Sequence, residues 1–76
     1  MIFLIQYDRK KGRLISFRPF DDSDRHIAED ERLELELRLN QLGQKDEVVL
    51  LEAASQEALR QTHRRYFETL RQLSQS

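Results

Sequence analysis

The chain has no cysteine, so neither a disulfide nor a thiolate metal site can brace it. Two histidines argue against a structural zinc site. There are two glycines and one proline, which confines sharp backbone reversals to a few places. No glycine-rich phosphate loop, nucleophile elbow or zinc-helix motif occurs, so the sequence implies no cofactor and no enzyme. No apolar run approaches the roughly 20 residues that span a bilayer. Residues 1–5 are apolar, but they lack a preceding basic region and are too short for a signal peptide. A soluble cytoplasmic protein that does not contact membrane is the expectation.

What remains is dense patterning in a short chain. The 76 residues suffice for a single small domain over 1–76, with 38% hydrophobic and 36% charged residues. So small a domain buries proportionally little surface. With disulfides excluded and metal disfavoured, oligomerisation is the remaining means of support. The net charge of −1 hides an uneven distribution. Residues 1–20 carry five bases and one acid, 21–59 four bases and twelve acids, and 60–76 four bases and one acid.

Residues 1–8 and 13–20 read as two strands joined at Arg9-Lys10-Lys11-Gly12, with Gly12 suited to positive φ. Pro19 cannot donate to a ladder, so the second strand should sit at an edge or end there. If Asp8 pairs with Arg13, strict alternation puts Ile2, Leu4, Ile15 and Phe17 on a core face. Phe3, Ile5, Tyr7, Leu14, Ser16 and Arg18 then share the opposite, open face.

Asp21-Asp22-Ser23-Asp24 predicts a side-chain-capped helix start, and the helix should run over 24–42 to a left-handed stop at Gly43. Within it, residues 32–39 alternate leucine with charge. The rival reading is a half-buried strand, but helix propensity and the flanking signals favour helix. Ala28, Leu35, Leu39 and Leu42 form one stripe, while Leu33 and Leu37 fall on another side. Residues 47–54, containing Val48-Val49-Leu50-Leu51, predict a third strand. Ser55 should cap a last helix on which Leu59, Thr62, His63, Tyr66, Phe67, Leu70 and Leu73 share one broad face. His63 in that face reads as a packed histidine, and Arg64 and Arg65 as a solvated pair.

The order ββαβα predicts an α+β two-layer sandwich, with a three-stranded, mainly antiparallel sheet and two helices on one face. Placing the third strand beside the first gives spatial order 3-1-2. The expected function is a non-enzymatic interaction domain that forms a homodimer or joins a protein complex. Its candidate interface is Phe3, Ile5, Tyr7, Leu14, Leu33 and Leu37. The alternative is nucleic-acid binding. Arg9, Lys10, Lys11, Arg13 and Arg18 would neutralise phosphates, and Phe3 and Tyr7 would stack bases.

Overall fold

The computed structural model describes residues 1–64. Strands β1 (Ile2–Asp8) and β2 (Arg13–Phe20) are followed by a 3-10 turn at Asp22–Asp24 and helix α1 (Arg25–Leu42). Strand β3 (Glu47–Glu52) and helix α2 (Gln56–Thr62) complete the described chain. The α+β class and the ββαβα order are as the sequence predicts. Both strand pairings are antiparallel, and the sheet order is β2-β1-β3. The expected placement of the third strand beside the first is therefore met.

The hairpin turn is organised by Asp8. Its Oδ1 accepts the backbone N–H of Lys10 at 3.0 Å and of Lys11 at 3.1 Å. Gly12 closes the turn at φ 64°, a conformation that a side chain disfavours. Asp8 faces Arg13 and Tyr7 faces Leu14, but Gln6 then faces Ser16. Ile15 is the extra residue of a β-bulge. From there on, strict alternation in β2 is offset by one. Phe17 comes opposite Ile5 rather than Leu4, and Arg18 opposite Leu4. The expected core face of Ile2, Leu4, Ile15 and Phe17 is thus corrected. Phe17 joins Phe3 and Ile5, and Ile15 is left 49% exposed.

Both faces of the sheet carry apolar side chains, and each receives a helix. The odd face of β1 holds Phe3 and Ile5, fully buried with Leu59 of α2. Tyr7, Leu14, Phe17, Val49, Leu51 and Ala53 pack around that cluster. On the even face, Leu4, Gln6, Ser16 and Arg18 line a groove with Glu31, Glu34, Leu35 and Arg38 of α1. Successive strand residues point to opposite sides, so α1 and α2 lie on opposite faces. The predicted placement of both helices on one face is corrected on this point. The reason is the near-continuous apolar composition of β1: Ile2, Phe3, Leu4 and Ile5 are all buried, which demands cover from both directions.

The α1 helix begins without the expected side-chain cap. Neither Asp21 nor Asp24 makes a capping hydrogen bond, and the 3-10 turn supplies the entry instead. Its end is as predicted. Gly43 adopts φ 71°, its N–H donating to Asn40 O at 3.2 Å, and Gln44 N–H donates to Leu39 O at 2.9 Å. Ala28 and Leu39 are buried and Leu35 is half-buried, but Leu42 is 66% exposed, beyond the covered stripe. Ser55 caps α2 as expected, its Oγ accepting Ala58 N–H at 3.1 Å. Tyr66, Phe67, Leu70 and Leu73, and Arg65 with them, lie outside the described residues.

Candidate interaction surface

The α1 helix turns its core stripe down onto β1 and β3, which decides where its other leucines go. At 100° per residue, Leu33 and Leu37 lie well around the helix from Ala28 and Leu39. They are 56% and 54% exposed. They share a groove of about 390 Å³ with Leu39, Glu36, Asn40 and Val48, so they overhang the β3 side of the sheet rather than the β2 side. The β2 side is polar. There Arg18 Nη1 stands 2.6 Å from Glu31 Oε2, an atom that is itself buried. The Arg18 guanidinium also lies 5.2 Å from the centroid of Phe20.

The six residues expected at an interface therefore separate. Phe3 and Ile5 are core residues with no accessible surface, so their expected exposure on an open sheet face is corrected. The physical cause is Leu59, which covers them. Tyr7 and Leu14 are half-buried at the margin of the same cluster. Leu33 and Leu37 alone stand out in the manner expected. Ile27 of α1, 51% exposed, is a further apolar side chain outside the expected interface. Its isolation on the helical wheel is a signal that was present in the periodicity.

The residues assigned to nucleic acid separate as well. Arg9, Lys10, Lys11 and Arg13 are exposed at the hairpin tip. Arg18 is held by Glu31. Phe3 is buried, and Phe17 stacks on it with centroids 5.3 Å apart. The basic tip thus has no stacking platform made from Phe3, which corrects the geometry on which a single-strand surface depended.

A polar line crosses the sheet near the turn. Gln6 Nε2 donates to Asp46 Oδ2 at 2.8 Å, and Ser16 Oγ donates to Gln6 Oε1 at 3.5 Å. One residue in the central strand thereby ties β2 to the segment entering β3. Glu52, at the far end of β3, forms an ion pair with Arg25 of α1. Among the described residues, no group of three or more His, Cys, Asp or Glu side chains is placed to hold a metal ion. Nor is any described helix long and apolar enough to cross a membrane.

Comparison with protein-family models, with curated proteins and with solved structures found no match.

Proposed function

We propose that this chain is a small non-enzymatic interaction domain that works as a homodimer or within a protein complex in the cytosol. The observation that carries the reading is the pair Leu33 and Leu37, each more than half exposed one helical turn apart beside the β3 side of the sheet. Two leucines spaced four residues apart present one apolar strip along a helix. Each buried leucine side chain contributes about 1.5–3 kcal/mol relative to exposure, so a strip meeting its own copy across a two-fold axis gains that contribution on both sides. The absence of cysteine is compatible with a reducing compartment.

Sedimentation across a concentration series tests the reading. The expected result is reversible self-association that Leu37→Glu weakens by about tenfold or more, while the substituted monomer keeps its unfolding transition. A chain that stays monomeric at high micromolar concentration and captures no protein partner through this strip would remove it.

A further inference from the structure

The two edges of the sheet are built differently. Met1 N donates to Ala53 O at 3.0 Å and Ala53 N donates to Met1 O at 3.1 Å, so these two residues exchange both backbone bonds. In an antiparallel ladder such pairs recur every second residue, which makes Phe3–Leu51 and Ile5–Val49 bonded pairs. The backbone N–H and C=O groups of Val48, Leu50 and Glu52 therefore point away from β1. Among the described residues, no strand lies beyond β3.

By the same alternation, Phe3 and Pro19 form a pair without mutual bonds, so the N–H that Pro19 lacks is one that would have faced outward from β2. That edge also carries the bulge at Ile15 and the charge of Arg18. Proline, bulge and charge are the usual means of keeping a strand edge from pairing. The β3 edge has none of them between its terminal glutamates: Val48-Val49-Leu50-Leu51 is regular and uncharged. Above it lie Leu33 and Leu37, which share their groove with Val48.

We infer that the β3 edge is the docking site for a second copy of this chain, antiparallel to its own β3 about a two-fold axis. The inference rests on the self-association reading and specifies how it is achieved. Side chains directly opposite across a strand pair share a face, so both α1 helices fall on the same side of the joined sheet. There the strips of Leu33 and Leu37 can meet. Among registers with the two-fold on a residue, those centred on Val49 and on Leu50 overlap the most of β3, and charge decides between these two. Centring on Val49 sets Glu52 opposite Asp46, a like-charge pair that destabilises. Centring on Leu50 sets Val48 opposite Glu52 and Val49 opposite Leu51, with no acid facing an acid. In that register outward backbone groups also meet outward backbone groups.

Val48→Pro tests the inference, because the N–H it removes points outward and makes no bond to β1. The expected result is association weakened by about tenfold or more, with the strand content of the monomer retained. In the wild-type chain, the amides of Val48, Leu50 and Glu52 should exchange about tenfold or more slowly once dimer forms, following the chain's own concentration. Should Val48→Pro not fold, the exchange measurement decides alone. A wild-type dimer whose β3 amides exchange as in the monomer, or one unaffected by Val48→Pro, would overturn the β3 interface and leave self-association standing. A strictly monomeric chain would overturn both. Protection that appears only on adding an extended peptide would assign the edge to a different partner and end the two-fold arrangement.

Discussion

Phe17 stacks on Phe3 at 5.3 Å between ring centroids, with their planes 25° apart, although strict alternation from the hairpin turn would have put them on opposite sides of the sheet. The bulge at Ile15 makes the contact possible. Phe17→Ala should therefore destabilise the fold by about 3 kcal/mol, as expected for a large aromatic removed from a core. Ile15→Ser, at the exposed bulge position, should stay within about 0.5 kcal/mol of wild type. Urea denaturation at one fixed protein concentration checks both, since association shifts apparent stability.

The placement of the helices on opposite faces has a thermodynamic signature. Leu59→Ala and Leu39→Ala each remove a buried leucine and should each cost about 2–5 kcal/mol. Leu59 packs with Phe3 and Ile5, whereas Leu39 belongs to the α1 side. Side chains without shared partners add to within about 0.5 kcal/mol, so the double variant should show the sum. A large departure from additivity would place them in one core. If the double variant is too unstable to measure, Leu59→Val with Leu39→Val tests the same additivity.

Helix ends should respond unequally. Ser55→Ala removes the hydroxyl that accepts Ala58 N–H and should cost about 1 kcal/mol. Asp24→Ala removes no capping hydrogen bond and should cost only a few tenths, through the lost charge at the helix start. Gly43→Ala should cost about 1 kcal/mol from the left-handed backbone alone, since a methyl group there meets nothing within 4 Å. Thermal unfolding of the three variants gives the ranking directly.

The proposed interface is apolar, so self-association should hardly weaken between about 0.1 and 1 M salt, where exposed ion pairs are screened. Sedimentation at both salt levels checks this. Any affinity of the hairpin tip for single-stranded nucleic acid should show the reverse pattern and fall steeply with salt, less steeply after Lys10→Gln and Lys11→Gln. Filter binding across a salt series separates the two behaviours.

Much of the architecture was legible in the residues. Composition and local signals placed the three described strands, the α1 helix, the Gly43 stop, the Ser55 cap and the order of the sheet. Two features were not legible for a physical reason. A bulge inserts a single residue without any marker in its side chain: Ile15 is as good a strand residue as its neighbours, and only the packing of Phe17 on Phe3 favours the offset. The choice of face for α2 depends on which side of β1 is left uncovered by α1, a tertiary outcome that no local pattern encodes. The exposure expected for Phe3 and Ile5 failed through that second feature, because Leu59 occupies the space an interface was expected to fill. Leu33 and Leu37 escaped the error because helical geometry alone sets their angle to the buried stripe.

The unequal edges also set a limit on size. Joining two chains through β3 would leave a copy of β2 at each outer border of a six-stranded sheet. Each border would present Pro19 and the offset at Ile15, where a third chain finds no regular ladder to extend. Growth along the hydrogen-bonding direction would stop at two, and an apolar strand of the kind that seeds fibres would instead terminate its own polymerisation.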